Sequence, residues 1–393
     1  MIAVRRVSMS VGLLLAMGGL VACDPDPSVD AGSDAAVDAN VGPEDAGSDS
    51  GPPDTGPPDA GPECSGPPGL YIDGSCDILA PGVRAYETRF PLWADQADKE
   101  RYIFLPPGSE ILTIDPDNWI YPVGTTIWKT FLLDGVRLET RVLEKTDNDT
   151  GPGAWDMRAY AWNEDQDEVR DVTADTATNM ALRENVLGTP HDIPSGSQCV
   201  ECHRASQDVV NGFSAIQLNH ELGGVMLSTL LDEGRLSEPP TLAEADVPGE
   251  GTIQDALGYM HANCGHCHRY TRYDEPPPGD DCTDADDRCG VCSHSACNTG
   301  LRVRVRVQDA TPEETDAFVT ALGRRGAFIE GDALCRIHPG SPDTSTMLLR
   351  MSRRGEIAQM PPIQTEEVHE EGLTLMRAFV GLVSADSTAC LPE

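Results

Sequence analysis

Cys199-Val200-Glu201-Cys202-His203 and Cys264-Gly265-His266-Cys267-His268 repeat one pattern, C-x-x-C-H, in the second half of a 393-residue chain. That pattern is the attachment signature of c-type haem. Its spacing follows from the chemistry. Cysteines three apart lie on one side of a helical turn, so both thiols reach the two vinyl groups of one haem. The adjacent histidine then comes under the iron as proximal ligand. Two motifs predict two covalently attached c-type haems, one on Cys199, Cys202 and His203, the other on Cys264, Cys267 and His268. The competing uses of C-x-x-C, as a redox dithiol or half of a zinc site, do not require the histidine that follows both times.

Each iron takes a sixth ligand or keeps an open position. Met360, in Gln359-Met360-Pro361-Pro362, is the candidate for the second haem. The prolines fix the loop that would hold its thioether, and methionine opposite histidine raises the reduction potential. For the first haem the candidates are Met226, His220 and His261. His191, His294, His338 and His369 sit in polar contexts and take no role.

Outward from the motifs, the chain from about 195 has helical patterning. Thr311-Pro312-Glu313-Glu314 combines a capping box with proline at the first helical position. Ser341-Pro342 leads into a short helix carrying Met347 and Met351. Met376, Phe379, Val380 and Val383 recur at helical spacing and predict an amphipathic C-terminal helix. Residues 84–175 are strand-like instead. Arg101–Leu105, Thr125–Leu133, Arg137–Glu144 and Trp155–Trp162 are rich in β-branched and aromatic residues. Asp134-Gly135 predicts a type I′ hairpin turn. In the strand that follows it, Leu138, Thr140 and Val142 alternate with Arg137, Glu139 and Arg141. Asp115, Asp117, Glu164 and Asp165 have the chemistry to bind a cation, but such loop acids are mostly just solvated. The expected class is α+β: a β-rich domain over 63–190, then a mostly helical, cytochrome c-like dihaem domain over 191–393 with a Cys-rich insertion at 271–298.

The first 62 residues are of another kind. Arg5 and Arg6 precede an apolar run from Val11 to Val21, which is short for a membrane span and suits a secretory signal peptide over 1–22. It ends in Leu20-Val21-Ala22-Cys23, which resembles a bacterial lipobox, so Cys23 is the expected lipid attachment site and the membrane an expected partner. Residues 24–62 hold nine Asp, one Glu and no Lys or Arg among Pro, Gly, Ala and Ser, a composition that stays disordered. The linker is taken as 23–62, with ends about 35 Å apart as a coil.

Thirteen cysteines are present. With Cys23 and the two motifs assigned, Cys64, Cys76, Cys282, Cys289, Cys292, Cys297, Cys335 and Cys390 remain. An exported chain should bridge them as four disulfides. Proximity favours Cys64 with Cys76 and pairing within 282–297, which leaves Cys335 with Cys390. A zinc or iron–sulfur site on the 282–297 cysteines, with His294, is the alternative there.

The chain carries a formal charge of −37. Without its first 62 residues it still has 26 basic against 55 acidic side chains, which excludes nucleic acid as a partner. Residues 301–360 are an exception, with nine arginines against eight acids. Arg350, Arg353 and Arg354 near Met360 would suit an acidic docking partner.

The segments Pro91-Leu92-Trp93, Trp128-Lys129-Thr130-Phe131, Leu138-Glu139-Thr140-Arg141 and Tyr160–Gln166 accompany the haem motifs. So do Gln217-Leu218-Asn219, Tyr259–Cys264, Pro339–Pro342 and Met360-Pro361-Pro362. Together they resemble a family of exported bacterial dihaem c-type cytochromes with a β-rich N-terminal region. They also resemble cytochrome modules attached to quinone-dependent sugar dehydrogenases. The cysteine-rich insert at 279–298 departs from that pattern. The resemblance implies electron transfer with a protein redox partner. A dihaem peroxidase-like enzyme with one open iron, and a redox subunit of a periplasmic dehydrogenase, are the alternatives.

Overall fold

In a computed structural model of the protein, residues 63–269, 300–384 and 390 are described. Cys23, the linker and the 282–297 cysteines lie outside them. Six strands form one antiparallel meander in chain order: β1 Val83–Ala85, β2 Asp98–Phe104, β3 Thr126–Leu133, β4 Val136–Lys145, β5 Trp155–Trp162 and β6 Val169–Asp171. β5 spans the expected residues, and β2 begins three residues before the expected strand. Asp134 and Gly135 both have positive φ, 52° and 80°, as a type I′ turn requires. A register shift lies between Phe131 and Leu132, near the turn end of the β3–β4 pair.

The later half is helical: α1 Ala177–Arg183, α2 Gly196–His203, α3 Ala215–Leu218, α4 Leu227–Asp232, α5 Thr252–Asn263, α6 Asp316–Thr320, α7 Thr346–Met351 and α8 Glu370–Leu382. A small hairpin, β7 Arg325–Glu330 with β8 Ala333–Cys335, interrupts it. The capping box at Thr311 starts a single 3-10 turn, Pro312–Glu314, before α6. α8 buries Met376, Phe379 and Val380, and Val383 lies just past its end. It crosses α5 closely enough that a Cβ on Gly372 would stand 2.5 Å from the Tyr259 hydroxyl. Cys64–Cys76 and Cys335–Cys390 are the two disulfides among the described residues, with Cα separations of 5.6 and 5.0 Å.

The β-rich and helical stretches share a core. Tyr86, Ile103, Trp119, Ile127 and Trp155 from the first stretch belong to the same apolar cluster as Phe213, Leu257, Met260 and Phe379 from the second. The boundary expected at 190/191 passes through this cluster, and the described residues fall in one compact unit. Side-chain hydrogen bonds join the halves as well. Asn263, one residue before the second C-x-x-C-H motif, accepts from the Trp93 amide at 2.7 Å and donates to the Pro91 carbonyl at 3.2 Å. Gln217 accepts from the Phe90 amide at 3.0 Å.

Candidate haem cavity

Ser195 opens α2 with a reciprocal capping box to Gln198, and the helix then carries the first C-x-x-C-H motif in its last turns. Cys199, Cys202 and His203 all line a cavity enclosing about 1890 Å³ of non-atom space, part of it open to solvent. The second motif follows α5 in a turn and contributes Gly265 and His266 to the same wall. Cys267 hydrogen-bonds Cys202. That bond, with a hydrogen bond to His266, holds the Cys202 thiol below its ordinary value, while the same Cys202 bond and burial hold Cys267 above. Burial pushes Cys264, packed on the core, up to about 12.

The histidines differ in tautomer. His203 Nδ1 lies 2.6 Å from the Val209 carbonyl, so Nδ1 carries the proton and donates. Its Nε2 lone pair is then available, the arrangement a metal-binding imidazole needs. Buried His261 has Nδ1 accepting from the Val305 amide at 3.2 Å, which places its proton on Nε2. Burial, with Arg304 and Arg269 nearby, lowers its pKa to about 3 and keeps the ring neutral. As it stands, His261 presents a donor to the cavity and not a ligand lone pair.

The other distal candidates lie elsewhere. His220 is half-buried, with Nε2 at 2.9 Å from the Glu87 carbonyl and Nδ1 accepting from the Leu222 amide. Met226 caps α4 and is not among the cavity residues. Met360 is half-buried beside the cavity, whose wall takes its neighbour Pro361. The arginines expected to form a docking patch also make local contacts near Met360. Arg353 pairs with Glu330 at 2.6 Å, Arg350 donates to the Ala358 carbonyl, and Arg354 donates to the carbonyls of Glu367 and Met351.

Sequence reading passed over the polar wall that the sheet supplies. Glu139 is fully buried, bound by Arg141 and by His191 Nε2 at 2.8 Å. Burial would raise its carboxyl, but these partners outweigh it and hold the group below its ordinary value. Lys129 and Arg141 face the cavity beside it. Burial pushes the Lys129 ammonium well below its ordinary value, reinforced by Arg101, Arg141 and Lys99. Asp208, in the loop after the first motif, forms a wholly buried ion pair with Lys145. It also accepts from Trp155 Nε1 and the Tyr121 amide, each at 2.8 Å. Along β4 the charged residues alternate with uncharged ones, a pattern that does not say which face is covered; Glu139 is buried and Arg141 lines the cavity.

Two cation readings end without a site. Asp115 accepts from the Asp117 amide and Asn118, and Asp117 accepts from the Val307 amide, so both acids organise loops. Cys335, His338 and Cys390 place their donor atoms within 4.8 Å of one another, but the two sulfurs form a disulfide and offer no thiolate. Among the described residues no helix is long and apolar enough to cross a membrane. No family model, curated protein or solved structure matches the chain.

Proposed function

We propose that this chain is an exported, lipid-anchored dihaem c-type cytochrome that passes electrons between protein partners. The observation that carries the reading is that Cys199, Cys202 and His203 of the first motif line one cavity with Gly265 and His266 of the second, and that Cys202 and Cys267 are in contact. A chance motif has no reason to meet a second one across the fold. The donor set fits: cysteine pairs spaced for vinyl groups, and a histidine whose Nδ1 is committed to a carbonyl. Bound there, haem iron supplies one-electron chemistry. Cys199, Cys202, Cys264 and Cys267 would anchor the two haems, and His203 and His268 would be the proximal ligands. Met360 would be the distal ligand of the second haem. The Val209 carbonyl orients the His203 ring, and the Asp208–Lys145 pair fixes the loop that carries Val209.

Mass spectrometry of the denatured holoprotein should show two haem additions, and haem stain should survive a denaturing gel. One addition or none sinks the proposal. A haem enzyme with an open iron is the second reading, favoured by His261, Arg269 and Arg304 lining the same cavity. Cyanide binding without loss of a protein ligand band would select it; two low-spin irons that ignore cyanide would select the carrier.

A further inference from the structure

Arg101, Lys129 and Arg141 stand directly opposite one another across β2, β3 and β4. They form one rung of three cations on the sheet face that lines the cavity. Like charges opposed in a sheet are destabilising, and an inward face makes them more so. The neighbouring rung explains part of their tolerance. Phe131 collects Arg141 at 4.2 Å, Lys129 at 5.0 Å and Lys99 at 5.9 Å from its ring centre. Two carboxylates answer two of the cations: Glu87 pairs with Arg101 at 3.1 Å, and Glu139 takes Arg141. Lys99 donates to the Ala97 carbonyl at 2.8 Å. Among the described residues no carboxylate pairs with Lys129. The rung therefore holds one more cation than its protein partners answer, on the wall of the cavity that Cys199, Cys202 and His203 also line.

A c-type haem is bound covalently through its vinyl carbons, and its two propionates remain as carboxylates. We propose that the Arg101–Lys129–Arg141 rung is the seat for a haem propionate, with Lys129 its direct ion-pair partner. This rests on the dihaem reading above and gives the sheet a purpose in it: it closes the charge balance of the cofactor that the helical half binds. An Arg or Lys matched to a carboxylate in a secluded site gives a charge-assisted hydrogen bond, stronger than the same pair in water.

The test uses the full-length holoprotein and three variants, Lys129→Met, Lys129→Arg and Lys99→Met. In Lys129→Met a propionate bending band in the resonance Raman spectrum should shift, and one of the two midpoint potentials should fall. The haem whose potential moves is the one seated. Lys99→Met removes a charge that does not line the cavity and should leave the band in place. Lys129→Arg keeps the cation and both haems while moving the donors, so it should shift the same band by less. If both Lys129 variants retain two haems with wild-type propionate bands, the seat is wrong. If the wild-type protein carries no covalent haem on a denaturing gel, the dihaem reading itself fails, a result the Raman comparison cannot mimic.

Discussion

Val200 and Gly265 occupy the same position in the two motifs, and their surroundings explain the difference. Val200 lies within α2, half-buried on a capped helix. Gly265 lies in the turn after α5, where a Cβ would stand 2.6 Å from the His261 carbonyl oxygen and 3.2 Å from the Arg304 Cα. The first motif is backed by the ionic sheet wall and the Asp208 loop; the second leans on the apolar core through Cys264. One five-residue pattern is thus held by two kinds of support. The ligand chemistry needs only the spacing, and the rest of the chain is left to present it by different means.

That comparison can be broken at four points. Replacing Cys264 and Cys267 together by Ser should remove one haem and leave the other, read as the loss of one haem addition in the mass spectrum. The same change at Cys199 and Cys202 should remove the other. If either pair abolishes both, the two sites are not independent in attachment. Asp208→Asn should cost about 3–5 kcal/mol, because it leaves the Lys145 charge buried without its partner. Urea unfolding of the holoprotein measures this, and a change below 1 kcal/mol would show that the polar loop is not what supports the first motif. Gly265→Ala should cost about 1–3 kcal/mol from the clash with two backbone segments. Val200→Ala, at the matching position, should cost less, about 1 kcal/mol from lost apolar contact. Equal costs would erase the distinction between turn and helix. Ser195→Ala should be the mildest of the four, about 1 kcal/mol for the lost cap, seen in the same melts. The second motif follows a helix whose N-cap, Gly251, makes no side-chain bond, so no equivalent change exists there.

Most elements were legible because their local rules agree with the fold. β3, β4 and β5 and their turn follow from alternation, β-branching and Asp134-Gly135, and α8 from its apolar stripe. The two disulfides at Cys64–Cys76 and Cys335–Cys390 followed from parity and proximity. The cavity was half legible. Cysteine spacing announces the helical wall, because three residues of separation carry the chemistry in one stretch. The opposite wall is built from Lys129, Arg141 and His191, with Glu139 binding the last two from behind, and they come together only through strand register and a loop return. Charged residues alternating along a strand ordinarily face water, and nothing local in β4 says that a second layer covers them. His220 and Met226 were plausible ligands by distance along the chain. Backbone partners claim the one and helix capping places the other, and neither is visible before the chain is folded.

The shared apolar cluster has a consequence for how this chain can change over generations. A domain joined by a hinge can be exchanged, duplicated or lost without injury to its neighbour. Here the cluster that holds Tyr86, Trp119 and Trp155 is completed by Phe213, Met260 and Phe379, so a break near residue 190 would leave both pieces with a raw hydrophobic face. The sheet and the helices are bound to travel through gene rearrangement as one heritable block.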